Sequence, residues 1–390
     1  MGNYGYTGDL SSMSRKSAMH APDDRPFDAP TSHGLSFSGS GAEYFRIWIV
    51  NLMLTVATLG IYSAWAKTRR LQYFYRNTQL AGAGFDFRGD PKAILRGRIL
   101  AVALLAAYHY AFGFSLKVGV VTVALLLAGL PFMMRSALRF RLSNTVYRGL
   151  PFGFAGGIKE AYIVYFVPVA IFVLPGALVA LMPGNPGVGA IFLLYLCWPL
   201  MHGAMKAYQH KHLMAGDQHA AFGLDTADLA KPYVRAFLIG LGVMVVVGLS
   251  IGLSVYLARG QKSAAPFAAF LPAILAIVLA YLYMLLMGPY ILVRMNNLAW
   301  SATSFPGIRI TCAMRTWPYL RLQTVNVLLT LLTFGLFRPF AVVRTWKYRV
   351  AHLSVDAPDG FEQAVLAARR PPAAAAGDGI ADFLGVDLSW

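Results

Sequence analysis

The stretch "VNLMLTVATLGIYSAWAKTRR" (residues 50–70) is apolar enough for a membrane helix, yet it carries an asparagine and ends in a run of bases. The chain says nearly the same thing again at 325–345, "VNVLLTLLTFGLFRPFAVVRT". At a constant offset of 275, Val50, Asn51, Leu54, Thr55, Thr58, Gly60, Ala66 and Arg69 recur as Val325, Asn326, Leu329, Thr330, Thr333, Gly335, Ala341 and Arg344. The reading turns on whether both copies cross a membrane or return to the side they came from.

The rest of the chain sets the context. Of its 390 residues 57% are hydrophobic and only 13% charged, with a mean hydropathy of +0.55. Runs of about 20 apolar residues span a bilayer core as helix. Eight segments approach that length, near 46–66, 98–116, 118–134, 162–182, 187–205, 234–257, 266–293 and 322–342. A soluble core does not need eight helices apolar on every face. The expectation is an all-α polytopic membrane protein, with a membrane domain over 37–355 and internal repeats at 45–97, 135–160, 206–235 and 294–350. Residues 1–36 and 356–390 have the composition of disordered tails, and the first carries no apolar core of a signal peptide. The closing "IADFLGVDLSW" has the form of an inert tail more than of a partner motif.

Charge sets the direction of the segments. Between 37 and 350 there are 29 lysines and arginines against seven acidic residues. The bases crowd into the connections 67–98, 135–160, 206–235 and 294–321, whereas 183–187 carries none. Basic connections stay on the cytoplasmic side, which makes the six middle segments three hairpins rising from the cytoplasm. Segment 8 must then start in the cytoplasm, and its far end, with Arg338, Arg344, Lys347 and Arg349, belongs there too. One crossing cannot satisfy both ends. The favoured solution is a re-entrant or shallow segment broken at Gly335 and Pro339, with its copy broken at Gly60. Eight full crossings, with both termini outside, are the rival.

The basic connections also resemble one another. "NTQLAGAGFDFRG" (77–89) matches "NTVYRGLPFGFAG" (144–156) at an offset of 67, while 212–224 and 297–310 are looser copies. Such self-similarity points to duplication of one unit. The alternating Phe-x-Phe between glycines predicts a short strand or turn.

The block "FSGSGAEYFRIWIVNLMLTVATLGIYSAWAKTRRLQYFYRNTQLAGAGFDFRG" resembles the opening of the YjgN-type family of bacterial inner-membrane proteins. "TLLTFGLFRPFAVVRTWKYR" is similar to that family's closing motif, and the resemblance covers about 37–355. It implies an inner-membrane, multi-helix protein and transfers no catalytic residue. Phe340 and Val342 depart from Trp65 and Lys67 of the first motif.

No P-loop, dinucleotide fingerprint, zinc-protease or nucleophile-elbow motif is present, so neither an enzyme nor a cofactor is expected. Cys197 and Cys312 lack metal-site spacing. His202, His210, His212 and His219 cluster in sequence, but His210 and His212 face apart on a helix, which predicts surface histidines. Repeats and broken apolar segments favour transport, and the absence of carboxylates inside the spans favours an anionic or lipid-like solute over a cation. The polar stripes Asn51, Thr55, Thr58 and Asn326, Thr330, Thr333 are the candidate intramembrane site, expected to face the bundle or each other. Lys67, Arg69, Arg70, Arg76, Arg135, Arg139, Arg141, Arg344 and Arg349 are the expected contacts to anionic headgroups. A scaffold that binds anionic lipid or a partner protein is the alternative. The charge of +17 has its explanation at the membrane edge, so nucleic acid is not an expected partner.

Overall fold

The computed structural model describes residue 2 and residues 31–182, 184–260, 266–357 and 361–368. The chain passes five times through strand, helix, helix and strand. The first pass is β1 (Thr31–Gly34) with β2 (Ser36–Phe37), α1 (Gly41–Ala57), α2 (Ser63–Arg76) and β3 (Thr78–Leu80). The second is β4 (Ala83–Phe87), α3 (Pro91–Phe114), α4 (Leu116–Ser143) and β5 (Thr145–Tyr147). The third is β6 (Leu150–Phe154), α5 (Ile158–Ala161) running through a π-helical turn into α6 (Val167–Leu181), then a 3-10 stretch leading into α7 (Trp198–Lys211), and β7 (Leu213–Ala215). The fourth is β8 (Gln218–His219) with β9 (Ala221–Phe222), α8 (Thr226–Gly260), α9 (Pro266–Ser301) and β10 (Thr303–Phe305). The fifth is β11 (Ile308–Cys312), α10 (Thr316–Leu332), α11 (Arg338–Ala351) and β12 (Leu353–Ala357), after which α12 (Phe361–Ala367) follows.

Six helical stretches in the three middle passes have the length and hydropathy of membrane spans: Pro91–Ala111, Lys117–Ser143, Ile158–Gly176, Gly189–Lys211, Thr226–Arg259 and Phe270–Ser301. Their outward faces are apolar, as at Leu105, Leu125, Leu249 and Met284. Lipid can satisfy such a surface and water cannot.

The strands correct the all-α expectation. They form two antiparallel sheets, ordered β1-β12-β11-β10-β9 and β2-β3-β4-β5-β6-β7-β8. Only Leu35 separates β1 from β2, and only Ala220 separates β8 from β9, so the two sheets continue into one another at both ends and make a ring. A sheet closed in this way leaves no open edge. One backbone bond recurs at each junction: Ser38, Arg88, Ala155, Gly223 and Ala313 donate to the carbonyls of Asn77, Asn144, His212, Ala302 and His352, at 2.8 to 3.0 Å. Two of the ring's hairpin turns, Ala81–Gly82 and Arg148–Gly149, have positive φ at both residues, the geometry that matches strand twist. The Phe-x-Phe stretches are β4 and β6. Phe85 and Phe152 pack inside the ring, while Phe87 and Phe154, two residues on, pack under the helices.

Segments 1 and 8 do not run straight. Each is a helix–turn–helix whose ends lie together at the ring. Tyr73 near the end of α2 donates its hydroxyl to the Ser40 carbonyl (2.8 Å) and accepts from the Ser40 amide (2.9 Å) at the start of α1. Tyr348 makes the same two bonds with Arg315, at 2.9 and 3.1 Å, an offset of 275 away. At the tips, Leu59 and Gly60 and again Phe334 and Gly335 take positive φ. Leu59 and Phe334 are almost fully exposed there, at 96% and 98%. The break in the second copy falls at Phe334–Gly335, and Pro339 opens α11, where its missing N–H costs nothing. Among the described residues there are therefore six spanning-length helices, and segments 1 and 8 are helical hairpins.

The expected tail boundaries also shift. Residues 31–37 are ring strands, Thr31 pairs with Ala357, and α12 packs into the ring. The rest of both expected tails, including the "IADFLGVDLSW" stretch, lies outside the described residues.

Candidate functional site

The two end hairpins lie side by side, with α1 packed on α11 and Phe45 stacked on Phe340 at 5.6 Å. Ser63, Lys67, Arg70 and Phe74 share one face of α2, at spacings of four, three and four. Arg338, Val342, Thr345 and Arg349 hold the equivalent positions on α11. These two faces, with Arg98 of α3 and Arg141 of α4, line two adjoining cavities of about 490 and 310 Å³. Asn51, Thr55 and Gln323 complete the polar wall. Lys206 of α7 is close enough to Arg349 to feel its charge.

The charges on the two helices alternate by level. Where α2 has Lys67 and Arg70, α11 has Val342 and Thr345. Where α11 has Arg338 and Arg349, α2 has Ser63 and Phe74. Two like charges 4 Å apart repel by about 1 kcal/mol in water and several-fold more in a partly desolvated cleft. Staggering them lets six bases share one chamber. Among the described residues, no aspartate or glutamate lines either cavity. The chamber is thus a cationic surface facing inward, and charge-assisted donation to an oxyanion is the chemistry it offers.

The predicted site residues divide. Asn51 is buried and lines the larger cavity with Thr55, and its Oδ1, like that of Asn326, has no hydrogen-bond partner among the described residues. Asn326 is equally buried but turns to its own hairpin, donating to the Ala341 carbonyl (3.3 Å) and the Thr345 hydroxyl (3.2 Å). Thr55 and Thr330 each donate to the asparagine carbonyl one turn back, both at 2.6 Å. Thr58 and Thr333 serve the tips, where their hydroxyls accept from the amides of Tyr62 (3.0 Å) and Phe337 (2.9 Å). The two stripes therefore have different surroundings: one faces the chamber, and the other ties α10 to α11.

The expected headgroup contacts divide as well. Lys67, Arg70, Arg141 and Arg349 face the chamber. Arg69, Arg76, Arg139 and Arg344 point outward, Arg69 over the Tyr62 ring and Arg344 over the Phe337 ring. Arg76 pairs with Asp86 at 2.8 Å. Arg135 donates to the Gly156 carbonyl at 2.6 Å. Sequence reasoning left Arg98 and Arg338 out of the site. The available signal was helical register, since Lys67 and Arg70 share a face with Phe74, an apolar residue that the core would claim. His210 also departs from the surface expectation: it is buried against Thr303 (2.9 Å) and Trp300.

Glu43 marks the hairpin's entry at the ring. With Ser40 it forms a capping box on α1, and the Ser40 amide and Tyr73 hydroxyl hold its carboxyl below the ordinary range. Tyr73 is pushed up to about 12 by burial and by that carboxylate, so the latch stays protonated.

Comparison with known proteins gives the chain its setting. It is 32% identical over 150 residues to inner membrane protein YjgN of Salmonella typhimurium (strain LT2), covering 36% of each chain. It is 27% identical over 244 residues to inner membrane protein YjgN of Escherichia coli K12, covering 57% of this chain and 60% of that one. The matches thus span from about a third to three fifths of the length of these relatives. No solved structure matches. The family described as "Bacterial protein of unknown function (DUF898)" matches residues 32–383. With nearly the whole chain matched, membrane-length helices in its three middle passes and relatives named for the inner membrane, the protein belongs to this YjgN-type family of multi-pass inner-membrane proteins.

Proposed function

We propose that the chamber binds an anionic group, carried by a solute or by a lipid head, in a permease-like or channel-like role. The observation that carries this reading is a chamber lined by six bases, with no carboxylate among its described lining residues. Bases that served only to orient the chain or meet headgroups would point outward, as Arg69 and Arg344 do. Broken helices flanking the site add support, because transporters build their sites at such breaks. The acidic residues at the spans, Asp90, Glu160 and Asp228, sit at their ring-side ends, which leaves no carboxylate relay for a cation in the apolar middle. The ring side carries the basic connections and is cytoplasmic by the charge rule. The exposed tips at Leu59 and Phe334 then enter the bilayer from that side. In this reading the protein catalyses no chemistry, and the five passes descend from one duplicated unit, supported by the latch that repeats at an offset of 275.

The test is titration of the purified protein in nanodiscs with inorganic phosphate and, separately, with short-chain phosphatidylglycerol. Arg70→Gln/Arg338→Gln should weaken one of them by roughly 100-fold, the loss of two charge-assisted contacts. Response to phosphate assigns a free anion, and response to the lipid alone assigns a headgroup. Unchanged binding of both would end the proposal.

An outer groove supports a second reading, a lipid-binding scaffold. Arg46, Arg69 and Arg76 line it beside Tyr73, next to the ring. On that reading Arg69→Gln/Arg76→Gln reduces binding to vesicles rich in phosphatidylglycerol, whereas the chamber variant leaves it intact.

A further inference from the structure

The strands leave the helix ends, turn and come back, so the hairpin turns mark the ring's far mouth. The helix α12 sits in that mouth. Phe361, Val365 and Ala368 are buried at 6%, 5% and 2% exposure, and their spacing of four and three makes one face. Phe361 meets His33 edge-on at 5.2 Å and Tyr147 at 6.2 Å. Three separate turns grip the helix. The Arg148 guanidinium pairs with Glu362 and donates to the Ala81 carbonyl of a neighbouring turn at 2.6 Å. A Cβ built on Gly216 would collide with the Ala368 carbonyl oxygen, and one on Gly307 would stand 3.8 Å from the Ala364 Cβ.

Above the helix lies an apolar vestibule of about 180 Å³, walled by Phe85, Trp300, Cys312 and Trp346. It shares Arg141 and Arg349 with the basic chamber. Mouth, vestibule and chamber therefore follow one another through the ring.

We propose that α12 is a plug that closes the ring-side entrance to the chamber. Its role in controlling anion entry rests on the chamber reading, while its role in closing the mouth does not. The hold is modest: three apolar side chains and one ion pair whose Glu362 side chain is 71% exposed, and an exposed pair contributes little. An incoming anion competes with the Glu362 carboxylate for Arg148, which gives the plug a reason to lift when its ligand is present.

Cys312 reports on the vestibule without any introduced residue. Burial pushes its thiol up to about 11, so it reacts slowly while the vestibule is closed. In full-length protein with Cys197→Ser, labelling of Cys312 by a negatively charged methanethiosulfonate is followed in nanodiscs. Phe361→Ala/Val365→Ala should speed labelling roughly tenfold or more, and Glu362→Gln severalfold, as the closed state loses its excess population. Leu366→Ala, at an exposed position, should leave the rate alone. Thermal unfolding and gel filtration of each variant show that the fold persists. If the double variant disturbs the fold, Glu362→Gln decides by itself. Labelling at the parental rate in the folded plug variants overturns the proposal, as does equal acceleration by Leu366→Ala. Phosphate titration of the same proteins separates the two readings: binding that survives Arg70→Gln/Arg338→Gln removes the anion site and leaves the plug standing.

Discussion

The hairpins at the two ends of the chain have one backbone design and two different surfaces. Both are latched at the ring by a tyrosine, Tyr73 or Tyr348, and both turn at a positive-φ pair capped by Thr58 or Thr333. The inner faces differ. The first hairpin puts its bases at the middle two levels of α2, and the second puts its bases at the outer two levels of α11. Asn51 faces the cavity between them, whereas Asn326 holds its own hairpin together. Two hairpins can thus share one scaffold while their charges differ in a complementary way. Similarity between copies identifies what folds the hairpin, and the differences identify what lines the site.

That contrast can be broken by restoring the match between copies. Val342→Lys places a base at the level of Lys67. If the stagger serves to separate like charges, this variant should cost roughly 2–3 kcal/mol, with much of the loss recovered in Val342→Lys/Lys67→Val. Thermal unfolding in detergent measures both, and a Val342→Lys protein as stable as the parent would show that the stagger has no energetic basis. The tips should behave alike in both copies. Gly60→Ala and Gly335→Ala, each at a φ of +92°, should each destabilise by about 1–2 kcal/mol, and unequal losses would mean that the tips are not equivalent.

The asparagines sharpen the comparison by differing. Asn326→Ala removes two bonds to α11 and should cost about 1–2 kcal/mol. Asn51→Ala should cost less in stability and instead shift the phosphate titration. The opposite order would make Asn51 the structural residue. The smallest effect belongs to the helix starts. Ser40→Ala removes the cap of α1 and should lose about 1 kcal/mol, while Arg315→Ala, at an N-cap with no side-chain cap bond, should lose almost nothing.

Much of this was legible in the residues. The charge conflict at the two ends of segment 8 favoured a returning segment, and the helix breaks are where Gly60 and Gly335 stand. Phe-x-Phe between glycines gave strands. The residues that misled were those whose local pattern is ambiguous. Three-residue strands such as "TQL" (78–80) and "TVY" (145–147) carry too little periodicity to be read as a sheet. The stretch "FEQAVLAA" (361–368) has a helical stripe of only three apolar positions, easily lost in a tail rich in alanine and proline. Lys67 and Arg69 are two residues apart and looked like one cluster, yet about 200° of helical rotation puts one inside and the other out.

The sequence by itself determined the elements that local chemistry controls: apolar spans long enough for lipid, hairpin turns at glycines and basic residues on one side. Tertiary structure decided everything that needs distant residues to meet. Thr31 pairs with Ala357, which closes the ring across nearly the whole chain. Only that closure brings α2 against α11, makes one chamber from bases belonging to four helices and gives α12 a mouth to fill. Strand pairing and ring closure depend on which partners lie at hand in the folded bundle, and short strands do not encode those partners locally.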